Sequence, residues 1–150
     1  MSRIALVDTS ILLEILNVPN KAEKHPETFA ALAEKIRNRE KLFLPIATIF
    51  ETGNHIAQNG DGRQKRKCAG DFADFIKKAI EGKTPFIPLR FPDSTVLADW
   101  INKFPDSVSK GYSLGDISII CDYELTCQLN PYQPVYIWSN DVHLSGYCRE

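Results

Sequence analysis

Four acidic residues stand where a chemically useful carboxylate would stand: Asp8 in IALVDTS, Glu51 in ATIFETGNH, Asp116 in YSLGDISII and Asp141 in YIWSNDVHL. Two follow apolar β-type runs directly or nearly so, and two sit at or near the first turn of an apolar helical stretch. In an open α/β sheet the carboxyl ends of the strands share one edge, and the following helices begin there, so the four are expected to converge. Convergence is costly, because two like charges about 4 Å apart repel by roughly 4 kcal/mol at an intermediate effective dielectric. A fold keeps such a cluster only if a divalent cation neutralises it or some carboxylates hold protons. Carboxylates and water suit hard cations, Mg2+ or Mn2+, better than Zn2+ or copper. Such ions turn water into a nucleophile and hold the attacking and leaving oxygens of a phosphodiester.

Each acid also has a simpler role to weigh. Asp8 could be a helix N-cap, although Thr9 and Ser10 could each cap the same helix. A helical glutamate such as Glu51 is most often solvated, but Ile49 and Phe50 read as buried and would set it at the boundary of the core. Asp116 lies among Leu114, Ile117, Ile119 and Ile120, where a solvated carboxylate is out of place. Ser113 and Asp116 have the spacing of a capping box, and the helix dipole would favour the charge there, so the two roles are compatible. Asp141 closes a Ser-Asn-Asp turn, which is also ordinary loop chemistry. His55 and His143 have no accompanying Ser or Cys nucleophile motif, and Trp138 reads as core. Arg63, Lys65, Arg66 and Lys67 put four positive residues within five, an opposite field for a polyanion or a solvated helix flank.

The elements that must position these residues alternate between short strands and longer helices. Arg3–Val7 reads as a buried strand and Thr9 to about Asn17 as a helix. A second helix covers about Pro26 to Arg39, with Phe29, Leu32 and Ile36 on one face. Leu42–Pro45 is a strand leading into a helix over about Ile46–Gln58, whose buried side is marked by Ile46, Ile49, Phe50 and Ile56. After the Asn59–Gly62 turn comes an apolar stripe of Phe72, Phe75, Ile76 and Ile80, ended by Gly82. Phe86–Leu89 reads as an edge strand because of Pro88. Ser94–Lys103 is a helix, Pro105–Gly111 a loop, Leu114–Leu129 a central helix, Pro134–Ser139 a strand, and the last residues a tail or edge element. The alternation predicts an α/β fold, a three-layer α/β/α sandwich around a short, mainly parallel central sheet, in a single domain over residues 1–150.

Composition narrows the class. With 150 residues, 43% hydrophobic and 10% aromatic, the chain has the make-up of an ordinary globular domain. No segment approaches the roughly 20 apolar residues that cross a bilayer. The opening MSRIALVDTS runs straight into strand-like sequence without a signal-peptide core, so a cytoplasmic location is expected. Cys68, Cys121, Cys127 and Cys148 show no zinc spacing and read as buried or half-buried thiols. The net charge of −1 carries no global nucleic-acid signature.

With Val7-Asp8-Thr9-Ser10, Glu51 after the second strand, Ser113-Leu114-Gly115-Asp116-Ile117 and Ser139-Asn140-Asp141 in this order, the sequence resembles the PIN domain family. That family of nucleases includes the VapC toxins of toxin–antitoxin pairs. The resemblance implies a PIN-like fold and Mg2+- or Mn2+-dependent cleavage of RNA by metal-activated water. It implies that Asp8, Glu51, Asp116 and Asp141 hold the metal, with Ser10, Ser113, Ser139 and Asn140 orienting ligands or water. It further implies a homodimer and a small antitoxin protein as partner. Two other readings compete. A haloacid-dehalogenase-type phosphatase would need an acid where Ser10 stands, and a receiver-type protein would need paired acids near the first strand. A PIN-like module that binds RNA or protein without cleaving is the non-enzyme reading.

Overall fold

A computed structural model describes residues 2–150; Met1, where the expected domain begins, lies outside the described residues. Five strands form one sheet: β1 (Ile4–Val7), β2 (Lys41–Leu44), β3 (Phe86–Pro88), β4 (Val135–Trp138) and β5 (Cys148–Arg149). Six helices connect them: α1 (Thr9–Ile15), α2 (His25–Arg37), α3 (Ile46–Gln58), α4 (Gly62–Ile80), α5 (Ser94–Val108) and α6 (Leu114–Leu129). The strand order is β3-β2-β1-β4-β5, parallel except for the antiparallel β4/β5 pair.

β1 is buried along its length and β4 at all but Trp138, and successive side chains feed opposite faces of the sheet. Ala5 and Val7 pack with Leu42, Leu44 and Phe86 beneath α1, α2 and α4, through Ile11, Leu12, Leu32 and Ala79. Ile4 and Leu6 pack with Val135 and Ile137 on the other face, against Ile119 and Ile120 of α6 and Leu144. With helices packed on both faces of the sheet, the fold is the expected three-layer α/β/α sandwich. Among the described residues no helix is long and apolar enough to cross a membrane.

Several expectations need correction. Of the α2 stripe only Leu32 is buried, while Phe29 and Ile36 are each 45% exposed. Phe50 is 59% exposed, and the buried side of α3 is carried by Thr48, Thr52 and Ile56 instead. The Asn59–Gly62 turn is shorter than expected because Asp61 and Gln64 form a reciprocal cap, so α4 starts at Gly62 and contains the basic residues. α5 continues through Pro105 to Val108. Pro105 is exposed, so water can meet the carbonyl its ring leaves without a donor, and the Ser107 hydroxyl donates to the Lys103 carbonyl at 2.8 Å. All four cysteines are free, and Cys148, on the edge strand, is exposed rather than buried.

The topology also fixes where a site can form. β2 and β3 lie on one side of β1 and β4 on the other, so the strand order reverses between β1 and β4. The crevice beyond the carboxyl ends of those two strands is the topological switch point, where open α/β sheets bind ligands. Val7 pairs with Trp138, so Asp8 and Ser139 leave the sheet side by side.

Candidate active site at the switch point

Asp8 is 5% exposed, and its N–H donates to the Trp138 carbonyl at 3.0 Å. It occupies the N-cap position of α1, yet its side chain makes no capping bond. Its Oδ2 instead accepts from the Ser10 hydroxyl at 2.9 Å and the Ser139 hydroxyl at 2.6 Å. Ser10 Oγ also accepts the Asn140 N–H at 3.0 Å, and Ser139 Oγ accepts the Asp141 N–H at 2.9 Å. The two serines therefore tie the end of β1 to the loop after β4. A capping role for Asp8 is set aside by this pattern.

Glu51 reaches the same corner from α3. Thr9 Oγ1 donates to Glu51 Oε2 at 3.0 Å, and the side chain lies over the bare backbone of Gly115 in α6. A Cβ at Gly115 would overlap Glu51 Oε1, so glycine is required by the close approach of two helices around a carboxylate. Burial pushes the Glu51 carboxyl above its ordinary value. The Thr9 bond opposes that rise, and the charges of Asp8 and Asp116 add to it.

Asp116 sits at the start of α6 in the capping box anticipated from the sequence. Ser113 Oγ accepts the Asp116 N–H, and Asp116 Oδ2 accepts the Ser113 N–H, both at 3.0 Å. Asp141 Oδ1 accepts the His143 N–H at 2.8 Å, and its own carbonyl accepts from Leu144 and Ser145, which closes the loop after β4.

One pattern runs through all four. Each carboxylate has one oxygen held by a local hydroxyl or amide, and the other, Asp8 Oδ1, Glu51 Oε1, Asp116 Oδ1 or Asp141 Oδ2, accepts nothing among the described residues and touches solvent. Among the described residues no group of three or more Asp, Glu, His or Cys side chains is placed so as to hold a metal ion. An all-oxygen donor set with one free oxygen per carboxylate still fits a hard cation such as Mg2+, which keeps several waters and binds through few carboxylates. The pocket that Gly115 leaves for Glu51 supports the same fit.

The remaining sequence-predicted residues divide. Ser10, Ser113 and Ser139 bind the carboxylates or their backbone, whereas Asn140 takes part through its N–H and its side chain is exposed. Lys65 and Arg66 line a groove with Gly53, Ile56 and Ala57 of α3, the helix that carries Glu51. Lys67 pairs with Asp71 at 3.0 Å and Arg63 is exposed, so the basic segment is not drawn into the carboxylate cluster. Thr9 and Gly115 emerge as parts of the site that sequence reasoning did not single out. Thr48 does as well: buried in α3, it donates its hydroxyl to the Val7 carbonyl at 2.7 Å, just before Asp8.

A family model described as PIN domain matches residues 5–121. No curated protein sequence matches the chain significantly. In fold, the chain is similar to VapC20 of Mycobacterium tuberculosis, described as a Sarcin-Ricin loop cleaving toxin. The TM-score is 0.62 at 15% identity, covering 95% of each chain. It is also similar to FitAB bound to an IR36 DNA fragment, with a TM-score of 0.60 at 18% identity over 93% of this chain and 87% of that one. FitAcB from Neisseria gonorrhoeae aligns over 91% of this chain and 87% of its own, with a TM-score of 0.50 and 16% identity.

Proposed function

The chain belongs to the PIN domain family, and from that premise we propose that it is a divalent-metal-dependent endoribonuclease, hydrolysing RNA phosphodiester bonds at Asp8, Glu51, Asp116 and Asp141. The observation that carries this reading is the half-satisfied state of all four carboxylates at the switch-point crevice. The capping residues Asp61 and Asp93 also accept through a single oxygen, so what sets these four apart is their placement together at the strand-end crevice. Here each is oriented through one oxygen and open at the other.

Bound Mg2+ or Mn2+ would neutralise the cluster and acidify the attacking water. The chain supplies the rest. Ser10 and Ser139 hold Asp8 through Oδ2 and leave Oδ1 without a protein partner, and Ser113 fixes the orientation of Asp116. Thr9 fixes Glu51 Oε2 and leaves Oε1 without a protein partner, free to help hold the metal. Lys65 and Arg66 offset the acidic field along the groove beside α3 and would guide the phosphate backbone, with Arg63 and Lys67 contributing long-range attraction.

The likeness to VapC20 favours a toxin role in which a small antitoxin protein blocks the crevice, and the family resemblance favours a homodimer in the cytoplasm. Cleavage of a mixed RNA pool with Mn2+, with EDTA, and by Asp116→Asn protein with Mn2+ tests the central reading. Cutting by the wild type with metal alone is expected. Cutting that survives both EDTA and the substitution would overturn it, and no cutting under any condition would favour a non-cleaving binding module.

A further inference from the structure

His143 has no nucleophile motif beside it, yet the fold holds its ring in a defined place. Its N–H is fixed to Asp141 Oδ1 at 2.8 Å. Its imidazole lies against the backbone of Gly111, where an added Cβ would come within 3.5 Å of Cε1 and Nε2, and Gly111 has a φ of +94° that disfavours a side chain. The Tyr112 ring packs beside it, with centroids 5.2 Å apart and planes inclined by 60°. Tyr112 immediately precedes Ser113, the residue that caps Asp116, and is itself anchored against the core beneath α6. An aromatic pair therefore bridges the two loops that deliver Asp116 and Asp141. The Tyr is the half-buried foot of the pair and the His its exposed face.

An exposed ring seated on a rigid partner, at the lip of a site that handles phosphodiesters, has the properties of a stacking platform. Every nucleobase offers a π-face, and single-stranded chains can turn a base out to meet one, whereas a paired base inside a duplex cannot reach it. Resting on the nuclease reading above, we propose that His143, supported by Tyr112, stacks the base of a nucleotide adjacent to the scissile phosphate. This makes His143 a positioning residue for the nucleotide beside the cut. The proposal needs no change in the charge of the ring. It needs only a flat surface held at a fixed offset from Asp141, which the His143 N–H bond and the Gly111 backbone provide.

The test combines cleavage with binding. The cut position is first mapped with wild-type protein and Mn2+, and 2-aminopurine is then placed at each position around it in a single-stranded RNA. Bound to the non-cleaving Asp8→Asn protein, one position next to the cut should show stacking-induced quenching. Adding His143→Leu should abolish that quench and weaken binding by roughly five- to hundredfold, whereas adding His143→Phe should restore both. In the otherwise wild-type enzyme, His143→Leu should raise KM more than it lowers kcat. Equal behaviour of the Leu and Phe variants, or a quench indifferent to His143, would overturn the platform while metal-dependent cleavage by wild type left the nuclease reading intact. Failure of the wild type to cleave any RNA would remove both.

Discussion

Glu51 can present an oxygen to the crevice because Gly115 has no side chain. α3 and α6 cross there so closely that the first carbon of any other residue would occupy the place of Glu51 Oε1. Gly115→Ala is therefore expected to swing the carboxylate away, at a roughly hundredfold loss of metal-dependent cleavage, the scale of an ångström-level misplacement. Its melting temperature should stay within about 2–4 °C of wild type, since the clash is with a side-chain end that can move. Gly53→Ala is the control. Its Cβ would meet only Phe72, at ordinary contact distances of 3.8 Å and more, and alanine suits a helix interior better by roughly 0.5–1 kcal/mol. Unchanged or raised stability is expected there; a Gly115→Ala enzyme with wild-type activity would show that Glu51 does not need its present place. The four acids were legible in the sequence because strand ends and helix starts are local features. Gly115 and Thr9 were not, because their roles depend on α3 meeting α6 and α1, and such contacts lie 42 or more residues apart along the chain.

At the level of elements, α3 carries two buried threonines one turn apart whose fates differ. Thr48 donates to the Val7 carbonyl, pinning α3 to the end of β1, whereas the Thr52 hydroxyl has no partner among the described residues. Removing a satisfied buried hydroxyl strands its acceptor, while removing an unsatisfied one relieves a desolvation cost. Thr48→Val should lower unfolding stability by about 1–2 kcal/mol, and Thr52→Val should leave it unchanged or raise it by about 1 kcal/mol. Denaturant titrations of the pair read both, and the same sign for both would defeat this account of α3. α6 offers the pH counterpart. Half-buried Asp122 has its carboxyl pushed by burial up to about 7. A folded-state pKa above the unfolded one gives stability that is complete below about pH 4 and lost as pH rises through about 7. Asp122→Asn should remove that slope and stabilise the protein at pH 8 by on the order of 2 kcal/mol relative to wild type, measured against the same comparison at pH 4. Element existence was readable from periodicity, as the match of α3 and α6 to their expected bounds shows. What escaped was set by context: α5 runs through an exposed proline, α4 gains its first turn from a cap, and Phe50 faces outward while threonines fill the buried side of α3.

For the whole molecule, the outward turn of Phe50 is part of a larger surface. Phe50 and Phe91 stack edge to face with centroids 6.4 Å apart, and Phe91 shares one groove with Leu125 and Leu129. Phe91 and Leu129 are each 71% exposed. Two phenylalanines and two leucines exposed together are unusual on a free surface and ordinary at an interface. The patch draws on α3, the β3–α5 loop and α6, each bound to the sheet or its helices, so it is preformed and could pair with its own copy about a two-fold axis. Such an arrangement would leave the crevice at the ends of β1 and β4 under separate control, since none of the four carboxylates lines the groove. The expected outcome is a dimer of wild-type protein by sedimentation velocity at micromolar concentration, and a monomer of Phe91→Lys with unchanged circular dichroism and unchanged cleavage. A wild-type monomer at tens of micromolar would assign the patch to another partner. A Phe91→Lys protein that remains dimeric would move the two-fold axis elsewhere. A monomeric variant that had also lost cleavage would tie activity to assembly, and the crevice would then depend on its twin.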